Sequence, residues 1–249
     1  MLKTERQNYI LSKIEEQGRV LVNELTKELN VTEDTIRKDL RELSSKNLVK
    51  RVHGGALSIL HESIEYRDRL NSDQIIKDSL SDKAINLILE AKVIFIDGGT
   101  TNVRLASKIP HDFKGQVITN SPTIALELCD HPYIELILLG GSFNKTSRIT
   151  LGSSVLEDIK KMYFDIFILG ISSIDSNYGI TVPSYEESLI KKECILQSST
   201  IIGLVSSTKL EKRSSFFVGE VNSLDYLVLE DNANNNIKKL YMEKGVKIV

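Results

Sequence analysis

The chain has only two cysteines among its 249 residues, Cys129 and Cys194, and they do not stand at metal-ligand spacing. Both fall in apolar helical patterns, which predicts buried free thiols and a reducing, cytoplasmic setting. The opening residues M-L-K-T-E-R-Q-N lack the apolar core of a secretion signal, and no apolar run reaches membrane-spanning length. No internal repeat is present, and the only biased tract, N-A-N-N-N at 232–236, reads as a loop. Net charge is just −2, so bulk charge draws the chain to no polyanion. These absences exclude a disulfide scaffold, a cysteine-held metal and a membrane partner, and no cofactor is expected.

Charge is nevertheless uneven. Residues 1–60 carry 11 Lys/Arg against 9 Asp/Glu, and the rest carry 21 against 25. Within 1–60, six Lys or Arg face two acids, Asp39 and Glu42, between Arg37 and Arg51. Ile36, Leu40 and Leu43 recur at i, i+4 and i+7, so the stretch from Val31 reads as an amphipathic helix and then a basic strand. Thr32 stands at the N-cap, with Glu33 and Asp34 at the positive end of the helix dipole. Arg37 and Arg41, with Lys38 beside them, make a second ridge. Taken alone, that helix is equally a solvated surface helix. Its neighbours favour a reader of phosphates.

Those neighbours are two helices. Residues 4–17 form the first, with Tyr9, Ile10, Lys13 and Ile14 on its apolar side and Gly18 ending it; Val20–Leu29 form the second, stopped at Asn30. A tight turn then leads into the basic helix, which makes a helix-turn-helix. After it, L-V-K-R-V-H-G-G-A-L-S reads as two strands about a Gly54-Gly55 turn, completing a winged helix. Thr32, Thr35, Arg37, Lys38 and Arg41 are the candidate base and phosphate contacts, and Lys50 and Arg51 would anchor the wing. His53 is either a further DNA contact or an ordinary turn residue.

The segments R-Q-N-Y-I-L, V-L-V-N-E-L, V-T-E-D-T-I-R-K-D-L and L-V-K-R-V-H-G-G-A resemble the DeoR-type bacterial transcription regulators through the first 57 residues. The resemblance implies a helix-turn-helix over about 20–39, a sugar-phosphate sensor behind it, and usually a repressor.

Beyond a polar linker at 59–72, containing E-Y-R-D-R-L, the pattern changes. Ser72–Leu89 looks helical, with a stripe of Ile75, Ile76, Leu80, Ala84, Leu87 and Ile88. Apolar strands then alternate with helices: Val93–Ile96, Val117–Asn120, Ile134–Leu139, Ile166–Leu169, Thr200–Val205 and Tyr226–Leu229, with a last helix and a strand at 246–249. Such a pattern predicts an α/β fold with a mostly parallel sheet covered on both faces. Ligands of such sheets sit at the carboxyl ends of the strands. Asp97, Gly98, Gly99, Thr100, Thr101, Asn120, Ser121, Gly140, Gly141, Gly152, Gly170 and Lys209 all fall there. Asp97–Thr101, between a strand and a helix start, has the form of an anion cradle, although D-G-G also makes plain turns.

The segments D-G-G-T-T, V-I-T-N-S, L-L-G-G and F-D-I-F-I-L-G resemble the sensor domain of the same family, which has the fold of ribose-5-phosphate isomerases and glucosamine-phosphate deaminases. By that resemblance Gly98–Thr101 would hold a phosphate, and Asn120, Ser121, Gly140, Gly141 and Gly152 would shape the pocket. Two departures stand out. Ile171-Ser172-Ser173 replaces a small residue, Asp and Gly, and Val205 takes the place of an Asp before Ser206-Ser207-Thr208-Lys209, with an extra residue ahead of the lysine. Glu186, Glu187, Lys191 and Lys192 could form a lid, but a solvated helix face is the expectation.

The organisation expected is therefore a winged helix-turn-helix over 3–58, a linker over 59–72, an effector-sensing domain over 73–231, and a closing helix and strand over 232–249. The function expected is a DNA-binding regulator acting on duplex operator DNA as a homo-oligomer, dimer or tetramer, repressing a carbohydrate operon and answering to a phosphorylated sugar or polyol. An activator would read the same in sequence. The alternative is a sugar-phosphate isomerase or deaminase carrying a DNA-binding domain, for which only Asp97 and Glu186 offer a general base; Asp97 reads better as a loop-structuring residue.

Overall fold

A computed structural model describes residues 2–17, 19–46, 48–52, 54–58 and 66–249. The chain divides into two compact units, Met1–Glu65 and Tyr66–Val249.

In the first unit, α1 (Lys3–Gln17), α2 (Val22–Leu29) and α3 (Glu33–Ser45) surround a core of Ile10, Ile14, Leu25, Ile36, Leu40 and Leu43. Tyr9, placed on the inner side by periodicity, is largely exposed. Gly18 lies outside the described residues. Asn30 ends α2 in the left-handed conformation, its N–H bonded to Thr26. The Thr32 side chain accepts from the Thr35 N–H and caps α3.

The second helix starts later than its sequence suggested. Arg19–Leu21 form a strand, β1, which pairs with β3 (Gly55–Ser58), and β3 in turn pairs with β2 (Val49–Val52). The β2–β3 turn also differs. Gly54 alone takes a positive φ, +83°, while Gly55 is the first residue of β3. Gly55 is needed for another reason: a Cβ there would collide with the Val20 carbonyl of β1.

The second unit is built on a seven-stranded sheet ordered β15-β14-β12-β9-β4-β5-β6, parallel throughout. Its strands are β4 (Val93–Ile96), β5 (Gly115–Thr119), β6 (Ile134–Leu138), β9 (Phe164–Gly170), β12 (Ser198–Leu204), β14 (Tyr226–Val228) and β15 (Lys247–Ile248). Alternate residues of the strands point to opposite faces. Ile94, Ile96, Ile166 and Ile168 pack under α5 (Gln74–Ile85), α6 (Thr100–Ala106) and α7 (Pro122–Leu128). Phe95, Phe167 and Leu169 pack under α8 (Ser153–Ile159), α9 (Tyr185–Leu196) and α10 (Asn235–Met242). Two small antiparallel sheets escaped the sequence pattern in part. The excursion after β6 is a hairpin of β7 (Ser142–Asn144) and β8 (Ile149–Leu151), and β10 (Ser173–Asp175), β11 (Gly179–Val182) and β13 (Phe216–Gly219) form a three-stranded flap.

Four expectations need correcting. The E-Y-R-D-R-L stretch is partly regular, since Tyr66–Asn71 form a helix, α4. On α5 the buried face is Lys77, Leu80, Ser81 and Ala84, and Ile75 is 87% exposed. Cys194 is buried, but Cys129 lies just past the end of α7 and is exposed. On α9, Glu187 and Lys191 are buried rather than solvated.

Candidate functional site

On α3 the basic ridge owes its clarity to where the acids go. Asp39 is 1% exposed and accepts from Arg6 Nε and, at 3.2 Å, from Gln7 Nε2, both on α1. Glu42 accepts from the same Gln7 amide at 3.1 Å and pairs with Lys3. Both acids are thus neutralised by α1, and Arg37, Lys38 and Arg41 remain exposed on the outer face. Arg37 Nη2 lies 3.0 Å from Glu33 Oε2, but this i,i+4 pair is half-exposed and weak enough to yield to a phosphate. The Thr32 and Thr35 hydroxyls lie 2.9 Å apart at the helix start. Arg37 of α3 and the exposed Arg51 of β2 line one shallow depression with Val22, Leu40 and Gly54. The Lys50 side chain and His53 lie outside the described residues.

In the second unit the loops after β4, β5, β9 and β12 meet at the carboxyl edge of the sheet. Asp97 is buried, accepts from the Gly170 N–H at 3.0 Å and is ion-paired with Lys191, whose ammonium also donates to the Gly170 carbonyl at 2.9 Å. The aspartate therefore fastens the β4 loop to β9 and α9. Asn102, one turn into α6, donates to the Asp97 carbonyl at 2.9 Å. The loop is closely packed. A Cβ on Gly98 would collide with Ile149, and Gly99 takes a φ of +146° at the N-cap of α6. Thr100 and Thr101 open that helix, half-buried.

Asn120 is wholly buried and donates to the Thr150 carbonyl at 3.2 Å, while its Oδ1 has no partner among the described residues. Ser121 accepts from the Ile124 N–H and caps α7. Gly140, Gly141 and Gly152 form a neighbouring corner. A Cβ on Gly141 would press on Val155 and the Leu151 carbonyl, and the Ser154 hydroxyl donates to the Gly140 carbonyl at 3.4 Å.

Lys209, at the end of the short turn after β12, donates to the Ile171 carbonyl at 2.8 Å. Burial lowers its pKa to about 8, and the positive charges of Arg69, Lys77 and Lys191 push the same way. Three of these four cations were not among the expected effector-site residues. Arg69 sits in the polar segment read as linker, Lys77 interrupts an apolar stripe, and Lys191 looked like part of a solvated face. The only available clue was a lysine at an inward helical position, which periodicity counts as noise.

A winged helix-turn-helix with an exposed cationic ridge is built to meet duplex DNA, and here it is joined in one chain to a parallel α/β unit with cations at the carboxyl edge of its sheet. The class of protein so defined is a DNA-binding transcriptional regulator with a sensor domain. Comparison with known proteins gives the particular family. The DeoR-like helix-turn-helix domain matches residues 6–62, and the DeoR C terminal sensor domain matches residues 73–231. The chain belongs to the DeoR family.

It is 32% identical to the HTH-type transcriptional repressor GlcR of Bacillus subtilis, over 100% of this chain and 96% of that protein. It is 27% identical to the HTH-type transcriptional regulator GlpR of Haloferax volcanii, over 100% and 98%. It is 30% identical to the Glycerol-3-phosphate regulon repressor of Escherichia coli, over 90% of each. All three are named as regulators and none as an enzyme. Among solved structures, ribose 5-phosphate isomerase A of Methanocaldococcus jannaschii aligns with 57% of this chain and 56% of its own at 14% identity and a TM-score of 0.42, which leaves the fold to be judged from the sheet topology itself.

Proposed function

We propose that the protein is a cytoplasmic repressor of a carbohydrate operon whose hold on DNA is released by a phosphorylated sugar or polyol. Thr32, Thr35, Arg37, Lys38 and Arg41 contact the operator from α3, and Lys50, Arg51 and His53 contact it from the wing. The effector sits at the carboxyl edge of the sheet. Its phosphate is held by Gly98–Thr101 and Lys209, and Asp97, Asn120, Ser121, Gly140, Gly141 and Gly152 shape the pocket. Repression is the role carried in the names of the Bacillus subtilis and Escherichia coli relatives. Two or more copies act together, because one winged helix reads too short a site for tight binding.

The observation that carries the effector assignment is the surplus of positive charge at that edge. Burial and three further cations lower the Lys209 pKa to about 8 against the pull of Asp73, so its ammonium stays charged at pH 7, while Asp97 is already paired with Lys191. An anion placed among these cations relieves their repulsion. Melting the full-length protein with sn-glycerol 3-phosphate, glucose 6-phosphate, fructose 1-phosphate and their unphosphorylated parents tests the reading. A ligand at 100 times its dissociation constant adds about 2.7 kcal/mol of apparent stability. At least one phosphate ester should raise the melting temperature and release a duplex carrying the protein's own promoter, while its parent sugar does neither. If no phosphorylated compound raises it, the assignment falls.

A further inference from the structure

The helix α4 opens the second unit, and it carries buried polar groups without a hydrogen-bond partner among the described residues. Tyr66 is 4% exposed, yet its hydroxyl has no hydrogen-bond partner among the described residues. Burial raises its pKa; the nearby Thr123 hydroxyl and the Arg148 and Arg69 charges oppose this, but no hydrogen bond to Thr123 closes. One turn on, Arg69 Nη2 donates to the Thr146 carbonyl of the β7–β8 loop at 2.9 Å, while its Nε is buried and has no partner among the described residues. Two guanidinium groups attend the Tyr66 ring, Arg148 at 4.6 Å and Arg69 at 5.6 Å from its centroid.

The position of α4 is fixed from both sides. It packs against α6, the helix that opens at Thr100, and its carboxyl end is held by Lys77, whose ammonium donates to the Arg69 carbonyl and, at 2.6 Å, to that of Ser72. Among the neighbouring charges, Arg69 acts most strongly on Lys209. One small region thus holds two donors without a partner among the described residues and the cations Arg69, Lys77, Lys191 and Lys209, against Asp73 and Asp97, the latter paired with Lys191. Buried donors without acceptors are costly, and like charges repel. A dianionic phosphate ester supplies what both need, a set of acceptor oxygens and negative charge.

We propose that α4 is part of the effector site: the phosphoryl oxygens accept from Arg69 Nε and the Tyr66 hydroxyl as well as from Lys209. This rests on the phosphate-site reading above and extends it to a helix that reads as linker in the sequence. Occupancy ties down the first helix of the second unit.

The test uses full-length protein and the variants Tyr66→Phe, Arg69→Lys and Lys209→Met. The probes are inorganic phosphate, sn-glycerol 3-phosphate, glucose 6-phosphate and fructose 1-phosphate, with binding measured by calorimetry. Tyr66→Phe keeps the ring and removes only a hydroxyl without a hydrogen-bond partner among the described residues, so the ligand-free melting temperature should not fall. Affinity for whichever probes bind should fall about tenfold, the worth of one hydrogen bond to a charged group. Arg69→Lys keeps the charge but not the Nε donor and should also weaken binding. Amide exchange across 67–72 should slow when probe is added to the unaltered protein. If Lys209→Met weakens binding while Tyr66→Phe and Arg69→Lys bind as the parent does, or if exchange across 67–72 does not change, the α4 proposal is overturned and the phosphate site stands. If no probe binds the parent protein, both fall.

Discussion

Lys209 shows how a single partly buried charge ties stability and binding to pH. Its folded pKa of about 8 lies below the 10.5 of a free lysine, chiefly through burial. Below pH 8 both folded and unfolded states carry the charge, and the folded state bears the cost. Its contribution to stability is therefore favourable above pH 10.5 and is lost as pH falls through about 8. Binding runs the other way. An anion prefers the charged ammonium, so affinity for a phosphate ester should decline from pH 7 to pH 9.5, by up to about tenfold per pH unit above the pKa. Lys209→Met should flatten that profile and raise the melting temperature of the ligand-free protein at pH 7. A decline of the same steepness in the variant would assign the titration to another group. Gly98 sets a different constraint. Gly98→Ala drives a methyl into Ile149, and overpacking of this kind costs about 1–3 kcal/mol, to be read in urea unfolding followed by a probe of the second unit.

Among elements, α3 does two jobs with one set of residues. Its inner face carries Ile36, Leu40 and Leu43 into the core, and Asp39 binds it to α1 through Arg6 and Gln7. Asp39→Ala leaves the mostly buried Arg6 without its partner. Removing one member of a buried pair typically costs about 3–5 kcal/mol, and residual exposure of Arg6 puts the expected loss at the lower end. The first transition in thermal unfolding should drop, with the second unit unaffected. Arg37→Ala acts on the other face. It should abolish specific operator binding in gel-shift assays while calorimetry still detects the effector, since among the described residues the Arg37 guanidinium is ion-paired only with exposed Glu33. Equal loss of both activities would contradict the division of labour between the units.

For the molecule as a whole, net charge is −2, so DNA binding depends on where the charge lies rather than on how much there is. Operator affinity should fall steeply with salt, linearly in log–log terms. Arg41→Ala or Lys38→Ala should each lower the slope by about 1 if they neutralise one phosphate each. A slope unchanged by either substitution would mean that the α3 ridge faces away from the duplex.

Much of this architecture was legible from order alone. Period-3.6 apolar spacing gave α1, α2 and α3, the four-residue apolar runs gave the parallel strands, and D-G-G-T-T with Asn120-Ser121 marked the carboxyl edge, because backbone geometry forces each of these patterns locally. Burial of charge was not legible. Lys77, Asp39, Glu187 and Lys191 occupy inward positions that sequence periodicity assigns to apolar side chains or to solvent. What admits Asp39 and Lys191 is a partner far along the chain: Arg6 for Asp39 and Asp97 for Lys191, the latter 94 residues away. A local pattern cannot register such a partner. Sequence therefore determined the elements and the class of surface each presents. The tertiary fold alone decided which charges are cancelled in the interior and which are left free to meet DNA or an anion, because electrostatic energy depends on distance in space and not on separation along the chain.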